Sequence, residues 1–344
     1  MDALFTLPFI TILLVPTMSS YATSLNVIFF YMTWSTLVLS HSPLRVELVG
    51  SFAVRLLLFI IPSLLGFLFD ILTPSAAVHI KAHGESGLPS GRKRGKVRTK
   101  DLKVAGWSLF NIIMGTALQA GIEHLLVRVF KVRSALKFSV FFPLPWSMAF
   151  ALFLGLILRE SITYGVHRHV LHNSKSIFTK YLAKCHNNWY HSLSVPYPLT
   201  AHYDHPLAYI VGRFIPTYLP AMLLRYHMLT FMLYLAIVSV EESFAYSGYT
   251  IMPTKFFLGG IARRTDEHLL SEGEGNFGPW GVLDWIFSTT IGESNVEEDI
   301  MAEMDEAEIE EQVRKRLEAS KKKIRAGTLR RNTTRRGSKA DDAE

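Results

Sequence analysis

Long apolar runs with almost no charge set the limits on how this chain folds. Residues 22–40 carry no charge, and residues 49–73 carry only Arg55 and Asp70. Residues 105–127 and 143–158 are nearly as apolar, and so are the paired blocks 207–224 and 228–240. A bilayer core about 30 Å thick is crossed by about 20 apolar residues of helix, and several blocks meet that length. Soluble helices rarely show charge-free runs of this kind. The expected fold is an all-α integral membrane protein, a multi-span helical bundle embedded in the lipid bilayer. The stretch "LFTLPFITILLVP" near the start lacks the basic region and cleavage site of a secretory signal. It is expected to remain as a partial or interfacial helix. One cysteine, Cys185, rules out an intrachain disulfide and sites built from several thiolates.

Charge gives the topology. The net charge is +7, and residues 91–103 hold seven basic residues and one acid. Positive loops favour the cytosolic side, so this loop is expected there. Two apolar blocks later the chain returns to the same side at about Glu160, and the pair 207–240 returns it again, whether it crosses or dips in as a hairpin. Residues 160–206 and 241–292 then share the cytosolic side with the loop and the tail. From Glu293 onward the chain has fourteen acids and twelve Lys and Arg, segregated into an acidic and then a basic stretch. The first part reads as a solvated helix and the end as disordered. The division that follows is N-terminal membrane helices (1–90), a basic loop (91–104), a second membrane domain (105–292) and a charged tail (293–344).

Seven of the thirteen histidines fall between Tyr164 and Pro206. Imidazole is a common ligand of first-row metals. His167 and His172 are five apart, as are His186 and His191, while His202 and His205 are three apart. A five-residue step turns a regular helix by about 140° from its start. His167 and His172 can therefore share a metal only if the helix ends or bends, and "HNSKS" after it offers stop chemistry. Spacing alone leaves two readings open: metal ligands, or interfacial histidines on helices that cap the bundle. Tyr164, Trp189, Trp280 and Trp285 read as interfacial aromatics. Gly275, Gly278 and Gly281 read as a tight-turning loop rather than a nucleotide-binding fingerprint. No feature points to nucleic acid.

Four segments carry a resemblance. "TYGVHRHVLH" resembles the first histidine box of the membrane-bound fatty acid hydroxylase and sterol desaturase superfamily. "LTAHYDHPLAYIVG" and "VEESFAYSGYTIMP" are similar to segments of its methyl sterol oxidase branch, and "GEGNFGPWGVLDWIFSTTIG" resembles its closing stretch. The resemblance covers about residues 143–292. It implies a helical bundle with a cytosolic histidine-rich cap in the endoplasmic reticulum membrane. It further implies a non-haem di-iron centre and the use of O2 to hydroxylate, desaturate or demethylate a sterol or other long-chain lipid. A cytochrome b5-type partner would supply electrons.

Matching the boxes residue by residue gives His167, His172, His186, His191, His205 and His268 as metal ligands. His169, His202, Asp204 and Arg168 are possible additional ligands or supports, and Asp266, Glu267, Glu241 and Glu242 are further carboxylates. The chain departs from the superfamily at its second and third His-x-x-His-His boxes. Ala183 and Asn187 stand where the second has histidines, the third keeps only His268, followed by Leu269, and Tyr246 replaces a histidine of the sterol branch. Two function classes stay open: the oxidoreductase, and a lipid-binding relative that has lost its iron.

Overall fold

The computed structural model describes residues 21–89 and 96–292, with eight helical positions between Met301 and Lys315. The predicted helix before residue 21 and the basic end of the tail lie outside the described residues. Among the described residues up to 292 the main helices are α1 (Tyr21–Ser40), α2 (Pro43–Leu72), α3 (Pro74–Ile80), α4 (Thr99–Val129), α5 (Pro145–Leu171), α6 (Ile177–Trp189), α7 (206–223), α8 (Met228–Ala245), α9 (Gly260–Leu270) and α10 (Val282–Ile286). No strand occurs among the described residues, only the isolated bridges Lys81↔Tyr249 and Lys137↔His227.

Local chemistry sets the helix starts. Proline opens α2, α3, α5 and α7, where its missing N–H costs nothing. The Ser42 side chain caps α2, and Ser176 with Thr179 forms a reciprocal capping box on α6. Helices α2, α4, α5 and α8, of 30, 31, 27 and 18 residues, are long and apolar enough to cross a membrane. Outward side chains such as Phe29, Leu57, Leu65, Phe150 and Phe153 are exposed, as a lipid-facing surface requires.

Helix α7 contains Pro220 and yet reaches the far end of the bundle. The turn after it pairs with the connection between α4 and α5, through Lys137 N–H to Tyr226 O (2.7 Å) and Met228 N–H to Lys137 O (3.0 Å). The end of α1 meets the same connection, where Trp34 Nε1–H donates to Ser139 O at 3.1 Å. The pair α7–α8 therefore runs the length of the bundle and back. At the opposite end lie residues 73–89, 96–98, 172–205 and 246–292, which form a cap over the bundle.

Charges inside the apolar blocks are paired. Arg159 on α5 makes a two-pronged bond to Glu241 on α8 (3.0 and 2.8 Å), and Arg55 on α2 pairs with Glu242 one residue on. Asp70 on α2 meets Lys81 at 2.7 Å, and Lys81 also donates to Ser247 O at 2.6 Å, which fastens the cap to the bundle. A charge taken out of water costs several kcal/mol unless paired, so these contacts fix which helices are neighbours. Arg159→Met leaves Glu241 buried and uncompensated, and we expect it to destabilise the protein by about 3–5 kcal/mol. The double change Arg159→Met with Glu241→Leu should recover most of that loss. Thermal unfolding of the detergent-purified protein reads both.

Candidate metal centre

Helix α5 ends at Leu171, with His172 as its cap. Its last turn widens into a π-helical turn, His167–Leu171, closed by His172 N–H to His167 O at 3.0 Å. The wider turn lets residues five apart lie one above the other, which a regular α-helix forbids. The two rings come to 5.0 Å between centroids. The helix thus both widens and ends at His172, the geometry that a shared metal requires.

Three other elements bring imidazoles to this pair. His186 comes from α6, His191 from the short turn after it, and His268 from α9. The His167 and His268 rings are 4.5 Å apart, His172 and His186 5.2 Å, and His191 and His268 5.0 Å. His167, His172, His186 and His268 each place one nitrogen within 4.8 Å of the others. His191 Nε2 lies 3.3 Å from His172 Nε2.

The outer ring nitrogens fix the tautomers. His167 Nδ1–H donates to Phe277 O at 2.9 Å, and His268 Nδ1–H to Gly275 O at 2.6 Å. His186 Nδ1 meets the Asp204 carboxylate at 2.6 Å. Carbonyl oxygens only accept, so Nδ1 carries the proton in these rings and Nε2 keeps its lone pair. The Nε2 atoms of His167, His186 and His268 are buried without a hydrogen-bond partner. Lone pairs facing one another in a dry interior, each ring held from behind by an acceptor, form the donor set that a metal ion needs. The residues therefore fit the iron that the resemblance implies.

The loop behind α9 makes this possible. Gly273 has φ +91°, and a Cβ there would lie 2.1 Å from His172 Cε1. Asp284 accepts the N–H groups of Phe277 (2.8 Å) and Gly278 (2.7 Å), and Glu160 accepts that of Trp280 (3.1 Å), so the two carbonyls are presented rigidly. Burial, followed by the neighbouring imidazoles, pushes His172 and His191 from 6.5 down to about 2. Burial likewise lowers His268 to about 4, against the opposing bond to Gly275. All three are neutral near pH 7, the form that ligates.

Other residues singled out in the sequence lie elsewhere. His205 caps α7 by accepting Leu207 N–H at 3.3 Å and packs on Trp189. His202 sits against Glu242 (3.2 Å) and Tyr209 (3.2 Å). Asp204 supports His186, His169 is exposed, and Arg168 donates to the Tyr164 hydroxyl. Tyr164 is buried and stacked on Phe287 rather than interfacial. Glu241 and Glu242 are taken by arginines, Asp266 by His83 at 3.0 Å, and Glu267 accepts Asn276 at 2.9 Å. Sequence reading passed over Arg213, which lines the same cavity as the histidines and donates to the Tyr246 hydroxyl. Its signal was a lone cation inside an apolar block, which is expensive there and marks function by default.

Residues 152–289 match the model of the fatty acid hydroxylase family. The match supports a fatty acid hydroxylase-like domain over that stretch. It contains all five clustered histidines, and that family implies a membrane, iron-dependent lipid hydroxylase or desaturase. No solved structure matches the chain.

Three outcomes follow. Asp204→Asn should weaken metal binding by about 10–100-fold, because it loosens the hold on His186, measured by competition with a chelator. Gly273→Ala should displace His172 and lower metal content while the helical signal in circular dichroism persists. In metal-free protein, the unfolded chain takes up protons near pH 6.5 while folded His172, His191 and His268 do not. Stability is therefore full above 6.5 and falls as pH drops from there toward 4 and then 2; denaturation at pH 7.5 and 5.5 checks the direction.

Proposed function

We propose that this protein is a membrane-bound, iron-dependent oxidoreductase. It would use O2 to hydroxylate, desaturate or demethylate a sterol or another long-chain lipid at the endoplasmic reticulum membrane. The observation that carries the reading is the buried group of imidazoles with converging Nε2 lone pairs, set where a lipid-embedded bundle meets its cap. When bound, iron supplies the activation of O2 that such an oxidation needs. The chain's own groups do the rest of the positioning: the Gly275 and Phe277 carbonyls and Asp204 aim the rings, and Phe277 packs over His167 and His172 and helps exclude water.

Two small cavities adjoin one another at Arg213. One, of about 40 Å³, is lined by His167, His186, His268 and Arg213. The other, of about 50 Å³, lies among the spans and is lined by Ile112, Phe214, Phe231 and Leu235 together with Arg55, Glu242 and the same Arg213. An apolar chain arriving from the bilayer would have to widen the second to bring its reacting carbon to the first. Above them α6 exposes Ile177, Phe178 and Tyr181 beside Lys180 and Lys184. That composition suits a helix lying in the headgroup layer, and its lysines offer a docking place for an acidic, cytochrome b5-type electron donor on a cytosolic cap. A lipid-binding relative without metal would leave the buried imidazoles uncompensated, which weighs against that alternative.

The test is oxidation itself. Protein in lipid nanodiscs, supplied with iron, cytochrome b5, its reductase, NADH and ¹⁸O2, is offered sterol and long-chain lipid pools, and mass spectrometry follows ¹⁸O uptake or loss of two hydrogens. Turnover that disappears in His186→Ala and His268→Ala is the expected result. Iron-loaded protein that oxidises no lipid in either pool would overturn the proposal.

A further inference from the structure

We infer that this site holds one metal ion, not two, and that the side of the cavity where a second ion would sit is taken by the guanidinium of Arg213. The inference rests on the metal-dependent reading above and departs from the di-iron centre that the resemblance implies.

The first argument is size. Two ions in a shared site stand about 3.5–4 Å apart. With metal–nitrogen bonds of about 2.0–2.1 Å, ligands on their outer sides are spread over about 7.5–8 Å. Here the ligand nitrogens of His167, His172, His186 and His268 all lie within 4.8 Å of one another. That spread fits ligands around a single centre.

The second argument is supply. Three of the five clustered rings have Nδ1 committed to Phe277 O, Gly275 O and Asp204, so each offers one nitrogen only. No second group of ligating side chains occurs among the described residues. His202 and His205, which would have to extend the set, are engaged with Glu242 and with the start of α7.

The third argument is replacement. Leu269 is buried in an apolar cluster with Phe59, Ile112, Tyr190 and Tyr246, and Ala183 is buried on α6. These positions, where the superfamily has imidazoles, now supply packing. Tyr246 also accepts from Arg213, whose guanidinium carbon lies 4.8 Å from that ring's centre. Arg213 shares the cavity of His167, His186 and His268. A fixed cation there repels a second metal ion and leaves one positive charge where two ions would place more.

Metal stoichiometry tests this without reference to turnover. The full chain, purified in detergent and stripped with chelator, is titrated with cobalt(II) while the visible d–d absorption is followed. We expect saturation at one equivalent per chain. His205→Ala, at a partly exposed position, should also saturate at one equivalent, and His268→Ala should bind far more weakly. Saturation of the wild type at two equivalents, or a lower stoichiometry in His205→Ala, would overturn the single-ion inference and leave the metal-dependent reading standing. No cobalt binding at all would overturn both.

Discussion

Ring nitrogens of four buried or half-buried imidazoles face one another, and the Nε2 atoms of His167, His186 and His268 have no hydrogen-bond partner. Leaving a buried polar atom unpaired costs about 1–3 kcal/mol, and protonation offers no escape because burial and the neighbouring rings hold His172, His191 and His268 neutral. A metal ion removes the conflict. Much of the cap serves to impose it: the π-helical turn of α5 sets His172 over His167, the loop after α9 offers two carbonyls, Gly273 clears room for a ring, and Asp204 braces His186. Binding of the ion and stability of the cap are therefore linked.

The bundle beneath obeys a parallel rule. Charges within its apolar blocks have specific partners: Arg55 with Glu242, Arg159 with Glu241, Asp70 with Lys81. Because Glu241 and Glu242 are adjacent on α8, their two arginines hold α5 and α2 on either side of that helix. The cavity among the spans opens between α2, α4, α7 and α8, and Arg213 closes it toward the histidines. Anchoring the helices and lining that cavity are thus done by neighbouring groups.

Spans were readable from sequence because crossing a bilayer demands length and apolarity, which composition records directly. The reach of α7 through the bundle was not, since Pro220 shortens its regular helix and its far end is fixed by the pairing of Tyr226 and Met228 with Lys137. The centre was legible in part. Residue spacing alone left His167 and His172 on different faces, because a π-helical turn is a backbone choice that side-chain periodicity does not encode. Resemblance placed His186, His191 and His268 with them, and it also nominated His205, which the fold uses as a helix cap. The carbonyls of Gly275 and Phe277 could not be foreseen, since every residue has one and only the fold aims it. Arg213 could have been, as the lone charge in "LAYIVGRFIP".

The central claim is that imidazoles of the cap, and no thiolate, bind a metal through nitrogen. X-ray absorption at the metal edge of the purified, iron-loaded chain tests it most directly. The account predicts a shell of nitrogen neighbours with the multiple-scattering pattern of several imidazole rings, lost in His268→Ala. Iron whose spectrum shows only oxygen neighbours and no imidazole scattering, unchanged by that substitution, would contradict it.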